Sequence, residues 1–452
     1  MADRGQELAD ALARVLGAAS IAGLHRLSGG ASRETWSFKA DGRDLVLRKD
    51  PPGAVAGGLA READLLRAAR TAGVPVPDVI ASGDGSDGVG APYIVMNHVD
   101  GETIARRILR DDAYASARPK MARQCGEILA AIHSIPTDAT AGLPDDDPLE
   151  KYAAVYAGFG EPHPTFDLAL KWLRETRPST ERRTLVHGDF RNGNLIVGAE
   201  GIRSVLDWEL AHVGDPMEDL GWLCANAWRF GGELPVGGFG TYDDLVAGYE
   251  AVSGVAVDRA ALNWWEAAAN LSWGVICIAQ AATHRSGAVR SVELAAIGRR
   301  VCETEWDLLG NFAASRAFAS AKAPLGTVAE GRPVRAVVSD EMHDVPTAAE
   351  LVEAVREFLE RDVMTATEGR VQFHTRVAVN VLNMVQRELT LGADQAVTHT
   401  ERLAVLGVGS ERELSDAIAS GAMDDRLDEV VAIVRATVRD KLAVANPKYL
   451  RD

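Results

Sequence analysis

The chain has 452 residues, 47% hydrophobic and 25% charged, with a formal net charge of −17. By size and apolar content it affords a sizeable core in about three compact units, while its acidic balance argues against non-specific binding to nucleic acid or to an anionic membrane. Four widely separated cysteines without a C-x-x-C pair fit reduced thiols in a cytoplasmic protein, and no apolar run reaches the roughly 18 residues of a membrane span.

In chain order, residues 6–16 read as an amphipathic helix with Leu8, Leu12, Val15 and Leu16 on one face, not as a secretory signal. LHRLSGGASRETWSFKADGRDLVLRKD then predicts a three-stranded meander with a Gly-Gly turn and an Asp-Gly turn. Period-2 alternation sets Val46 and Arg48 on one face of the third strand and Leu45, Leu47 and Lys49 on the other. AGGLAREADLLRAARTAG is helical, stopped by Gly73 and Pro75. VPVPDVIASG and APYIVMNHVDG add two strands, the second ending near Met96, Asn97 and His98. RRILRDD and ARPKMARQCGEILAAIHSIP predict helices opening a larger α-rich lobe, with His133 structural. Residues 138–167 are expected to be irregular, before the helix LALKWLRETRP. Three further helices fall over about 242–251, 259–282 and 291–312.

The chemistry concentrates in residues 185–222, LVHGDFRNGNLIV and then SVLDWELAHVGDPMEDLGW. Leu195 to Val197, a turn over residues 198–201, and Ile202 to Leu206 predict a hairpin that returns Asp207 beside Asn194. In that arrangement one carboxylate, Asp189, takes a proton from a hydroxyl, while the Asn194 amide and the Asp207 carboxylate hold Mg²⁺ against phosphates. Phosphoryl transfer needs such a set, because its catalysis is mostly positioning and charge neutralisation. Singly, each of these residues is as well explained by a turn. A two-metal phosphoesterase would need more His and Asp ligands than the segment offers.

H-G-D-x-x-x-x-N followed by D-W-E resembles the catalytic segment of the aminoglycoside phosphotransferase and choline kinase group within the protein-kinase-like fold. The likeness looks closest to the kinase module associated with acyl-CoA dehydrogenases, through GGASRETWSF, READLLRAA, HGDFRNGNLIV, DWELAHVGDPMEDLGWLC and ELAAIGRR. It implies an α+β, two-lobed fold over residues 1–320, with a small β-rich lobe to about residue 98 and an α-rich lobe from 99 to 320. Asp189 becomes the catalytic base, Asn194 and Asp207 the metal ligands with Glu209 as an added contact, and His187 and Asp219 the support of the catalytic loop. Nucleotide contacts fall to Ser28, Gly29, Gly30 and Ser32 in the first turn, to Arg48 where such kinases place Lys, to Glu62 on the following helix, and to Met96, Asn97 and His98. The implied cofactors are Mg²⁺ and ATP, with GTP left open.

The implied activity is transfer of the γ-phosphoryl group to a hydroxyl of a small molecule, with a hydroxyacyl-CoA as one acceptor and an aminoglycoside, amino-alcohol or sugar as the alternative. Trp228, Arg229 and Arg285, near His284, Arg290, Arg299 and Arg300, are the residues that suit the CoA ester, cations for phosphate and tryptophan for an acyl chain. Solvated helix faces are the plain reading of those arginines. A catalytically silent nucleotide-binding regulator or interaction scaffold is the alternative of another class. Residues 321–346 read as a linker and 347–452 as an all-α bundle, with capping boxes at Thr347/Glu350 and Ser410/Glu413 and a helix over 369–391. That bundle resembles a helical domain of unassigned function and offers a surface for a protein partner or self-association.

Overall fold

A computed structural model describes residues 2–27, 33–51, 58–136, 142–180, 182–314 and 346–450. Contacts group the chain into two compact units, Met1–Asp147 with Pro178–Glu266, and Pro148–Arg177 with Ala267–Asp452. The division of the sequence at residues 320 and 346 falls within the second of these, and most of the linker lies outside the described residues.

In the first unit, Ile21–Arg26 (β1), Glu34–Ala40 (β2), Arg43–Lys49 (β3), Val79–Gly83 (β4) and Tyr93–Asn97 (β5) form one antiparallel sheet in the order β1-β2-β3-β5-β4. The β2–β3 turn takes Asp41 and Gly42 at φ 47° and 83°, the left-handed pair a two-residue hairpin requires. The Asp41 carboxylate accepts the N–H groups of Ala19 and Ser20, fixing the end of the Ala2–Leu16 helix to this turn. Leu45 and Leu47 of β3 lie buried with Phe38, Tyr93 and Val95 against Leu8, Ala11 and Leu12 of that helix. Strand alternation therefore leaves Val46 and Arg48 on the other face. There the Gly58–Thr71 helix packs through Leu59, Ala63, Leu66 and Ala69 into a second cluster with Ile94 and Met96. Fully burying side chains of this kind is worth about 1.5–3 kcal/mol each.

The same unit holds the segment that carries the candidate site. Thr184–Val186 (β6) pairs with His212–Gly214 (β9), and Leu195–Gly198 (β7) pairs with Gly201–Val205 (β8). Leu185, Leu195, Val197 and Val205 are buried in the cluster that also receives the Arg118–Ile132 and Tyr242–Ser253 helices. Short apolar strands thus anchor both ends of each polar loop.

The second unit is helical among the described residues. Pro148–Phe159 is a helix where the sequence predicts irregular structure. Leu149, Ala153 and Tyr156 give it a buried stripe, and Pro148 is tolerated because it sits in the first turn. The expected helix over 291–312 is two, Val292–Gly298 and Val301–Ala314. The expected helix over 369–391 runs on as Gly369–Leu406. A lone glycine costs only about 1 kcal/mol in a helix, so Gly392 does not stop it, and Leu403 and Leu406 are buried beyond it. Both capping residues are engaged: Thr347 and Glu350 form the reciprocal box, and Ser410 accepts from the Glu413 N–H. The final helix, Leu427–Ala445, shares ion pairs with earlier segments of this unit through Lys441 and Glu305 at 3.6 Å, and Asn446 beyond it bonds Glu303 at 2.9 Å.

Candidate active site

The loop after β6 is set by a buried carboxylate. Asp219, in the first turn of the Met217–Cys224 helix, accepts the backbone N–H groups of His187 at 2.8 Å and Gly188 at 2.9 Å. His133 Nε2 lies 3.1 Å from the same carboxylate, and both side chains are fully buried. Burial alone would raise the Asp219 carboxyl, but the hydrogen bond and charge of His133 and the His187 backbone N–H hold it below its usual value. Gly188 has φ 79°, and a Cβ there would meet the Leu210 carbonyl oxygen at 2.5 Å, so no other residue fits. Burial pushes the His187 imidazole down, towards the neutral form. Its Nε2 faces the Leu206 carbonyl at 3.1 Å and must donate. Nδ1 is therefore the acceptor for the Asp189 N–H at 3.2 Å.

Asp189 is held on both oxygens. Oδ1 accepts from Arg191 Nε and Trp222 Nε1, each at 2.9 Å, and Oδ2 accepts from Asn194 Nδ2 at 2.6 Å. The same Asn194 nitrogen donates to the Asp189 backbone carbonyl at 2.9 Å. Two oxygens around Nδ2 fix the amide orientation and turn Asn194 Oδ1 away, an acceptor available to a cation. The Asn194 backbone carbonyl takes the Leu206 N–H at 2.8 Å, so the hairpin end carrying Asp207 is tied to it. Asp207 adopts φ 66°, ψ 65°, a left-handed conformation that Asp tolerates better than most residues. Asn192, between these residues, donates to the Gly237 carbonyl at 2.8 Å.

Beneath the sheet, the Arg48 guanidinium bonds Glu62 through Nη1 and Asp207 through Nη2, the latter at 3.2 Å. Arg33 joins the same cluster, with Nε 3.0 Å from Asp50, Nη1 2.5 Å from Glu62 and Nη1 3.6 Å from Glu209. Glu62 is buried at 2% exposure. Burial raises its carboxyl, against the opposing pull of Arg48 and Arg33. Lys49 points elsewhere, to the Val89 carbonyl at 3.3 Å. Ser28, Gly29, Gly30 and Ser32 lie outside the described residues. Met96 is buried in the sheet. The N–H groups of Asn97 and His98 donate to the Asp78 and Asp44 carbonyls at 3.2 and 3.0 Å.

The residues expected at the acceptor divide. Trp228 is buried, 5.4 Å from Trp222 between ring centroids, with the Arg191 guanidinium over its ring at 4.5 Å. Arg229 is turned inward, bonding Glu266 and the Cys224 carbonyl, each at 2.9 Å. Arg285 belongs to the second unit and bonds Glu161 at 2.5 Å. There too Arg299 pairs with Glu388, and Arg300 with Glu303 at 2.8 Å. Arg33, Asp50, Arg191 and Trp222 are missed by the sequence reading. Two signals pointed at them: Arg191 shares the loop of Asp189, and Trp222 stands one helical turn from Asp219.

Among the described residues no group of three or more His, Cys, Asp or Glu side chains is arranged to hold a metal ion, and no helix is long and apolar enough to cross a membrane. The donor set at Asn194 and Asp207, one amide oxygen and one carboxylate, nevertheless suits Mg²⁺, which binds through one or two protein oxygens together with phosphates. All four cysteines are buried and unpaired with one another.

A model of the phosphotransferase enzyme family matches residues 23–255, and a second, described as a domain of unknown function, matches residues 365–449. Acyl-CoA dehydrogenase family member 10 of Mus musculus is 33% identical over 43% of this chain, which spans only 19% of that protein. Hygromycin-B 4-O-kinase of Escherichia coli is 24% identical over 44% of this chain and 61% of its own. Among solved structures, a Ralstonia eutropha protein assigned to the aminoglycoside phosphotransferases aligns with a TM-score of 0.55 at 23% identity, covering 67% of this chain and 97% of its own. The fold is the kinase-like one of these phosphotransferases, with an N-terminal antiparallel sheet, a helical remainder and a C-terminal helical region.

Proposed function

The chain belongs to the phosphotransferase enzyme family, and on that premise we propose that it moves the γ-phosphoryl group of ATP to a hydroxyl of a small molecule. The observation that carries this reading is the convergence at one hairpin. The Asn194 side-chain amide nitrogen bonds Asp189, the Asn194 backbone carbonyl takes the Leu206 N–H, and Arg48 reaches the neighbouring Asp207. Asp189 orients the acceptor hydroxyl and takes its proton as the oxygen–phosphorus bond forms. Asn194 Oδ1 and Asp207, with Glu209 beside Arg33, are the residues to hold Mg²⁺, which neutralises phosphate charge when bound. Arg48 and Arg33 present guanidinium forks suited to phosphate oxygens, a role Arg fills bidentately. A silent regulator has no need of a base, an amide and a second carboxylate held together in this way.

For the acceptor, a hydroxyacyl-CoA draws support from the likeness to proteins named acyl-CoA dehydrogenase family members. It also suits the Arg191 guanidinium beside the base, which disfavours a polycation at that point. The second reading, an aminoglycoside or amino-alcohol, rests on the likeness to hygromycin-B 4-O-kinase. The test is ATP consumption with Mg²⁺ against hydroxyacyl-CoA esters, hygromycin B and choline. Asp189→Asn is expected to abolish transfer, a loss of about 10²–10⁴-fold, and to leave Mg-nucleotide affinity in calorimetry nearly intact. Asp207→Asn is expected to weaken that affinity. Equal loss of nucleotide binding in both variants refutes the division of roles.

A further inference from the structure

Which oxygen of Asp189 serves as base is decided by what already occupies the other. A carboxylate offers about four lone-pair positions, two on each oxygen. On Oδ1 both are taken, by Arg191 Nε and Trp222 Nε1 at 2.9 Å each. On Oδ2 one is taken, by Asn194 Nδ2 at 2.6 Å. Resting on the phosphotransfer reading above, we propose that Arg191 is a positioning residue that closes Oδ1 and turns Oδ2 to the acceptor hydroxyl. The acceptor O–H then donates to Oδ2. As its oxygen bonds the γ-phosphorus, the proton passes to Oδ2, and the bond from the γ-phosphorus to the β–γ bridging oxygen breaks to release ADP.

Three features hold Arg191 in this place. Its guanidinium lies 4.5 Å from the centre of the Trp228 ring, a cation–π contact that strengthens where water is excluded. Trp228 is buried and packs on Trp222, which supplies the second donor to the same oxygen. Gly193 supplies the space: its φ is 117°, and a Cβ there would lie 2.8 Å from Arg191 Nη1. The pair is largely out of water, with side-chain exposures of 24% for Arg191 and 13% for Asp189. A loop staple whose only purpose was stability would not need to end on the base itself. This one does, and its loss frees Oδ1 to swing round and compete with Oδ2.

The experiment measures phosphate release from Mg-ATP, with water as acceptor, alongside transfer to 3-hydroxybutyryl-CoA and to hygromycin B. Arg191→Ala is expected to lower kcat about 10- to 100-fold, the scale of a misplaced catalytic group, with KM for ATP changed less than about twofold. Added guanidinium ion, below denaturing concentration, should recover part of that kcat, whereas ammonium should not. Trp228→Leu removes the shelf and should lower kcat in the same direction. The double variant should be no worse than Arg191→Ala alone, because the two act through one contact. Unchanged melting and Mg-AMP-PNP affinity in Arg191→Ala establish that its loss is not one of folding. A kcat within about threefold of the wild type, a rise in KM for ATP matching the fall in kcat, or additive losses in the double variant each overturn the assignment while wild-type turnover stands. Absence of both hydrolysis and transfer in the wild type overturns the phosphotransfer reading and the assignment with it.

Discussion

Arg48 and Lys49 are adjacent cations on opposite faces of one strand, so each serves as the control for the other. Arg48→Met removes one of two guanidinium partners of the buried Glu62 and the 3.2 Å contact to Asp207. A charge-assisted hydrogen bond is worth about 1.5–3 kcal/mol. Glu62 keeps Arg33 at 2.5 Å, so it is not orphaned and the larger penalty of an unpaired buried charge is avoided. The Asp207 side chain is 35% exposed, so its bond is screened and contributes about 0.5 kcal/mol. The sum is roughly 2–3.5 kcal/mol, or a melting shift of about 4–14 °C for a unit of this size. Lys49→Met loses one 3.3 Å bond to a backbone carbonyl, about 0.5–1 kcal/mol. On the proposed function, Arg48→Met should also raise KM for ATP about 10-fold or more, and Lys49→Met should leave it within about twofold. Scanning calorimetry and initial-rate kinetics on both variants check this. A larger effect at Lys49 in either measurement refutes the assignment of faces.

Asp219→Asn should destabilise the first unit by about 2–4 kcal/mol near neutral pH, since it removes the charge that receives two N–H groups and His133. The folded Asp219 carboxyl lies below its usual value of 3.8, so its contribution is present above that value and lost as pH falls through the folded one. The gap in melting temperature between wild type and Asp219→Asn should therefore narrow as pH falls into the acid range; a gap that stays constant with falling pH contradicts the account. Deleting residues 347–452 should destabilise the second unit by at least about 2 kcal/mol, because Glu305, at 1% exposure, loses Lys441, and Glu303 loses Asn446. A truncated protein that melts unchanged counts against a shared core.

What was legible in the sequence was local. Strand period alone set Arg48 and Lys49 on opposite faces, and a hairpin of a few residues brought Asp207 to Asn194, because neither inference needs a distant partner. Partners far along the chain left no such trace. His133 reaches Asp219 across 86 residues, and Trp222 reaches Asp189 across 33. The arginines near residues 285–300 advertised positive charge, but not the glutamates that Arg285, Arg299 and Arg300 pair with. The Pro148–Phe159 helix was hidden by a proline that marks a helix start as readily as a break.

The substitution that looked most like a defect in the sequence, Arg where such kinases carry Lys, acquires a physical reason in the ion-pair cluster. A lysine ammonium is a point charge at the end of a flexible stem, whereas a guanidinium is a rigid fork with donors aimed in different directions. Arg48 uses that fork to bond Glu62 through one terminal nitrogen and Asp207 through the other. Helix, strand and hairpin are thereby fixed to one another by a single side chain. Arg33 repeats the device, spanning Asp50 and Glu62 and approaching Glu209. Four carboxylates around two guanidiniums leave a net negative cluster. On the proposed function, that excess of carboxylate charge lies where Asp207 and Glu209 would meet Mg²⁺, and Arg48 ties Asp207 to Glu62.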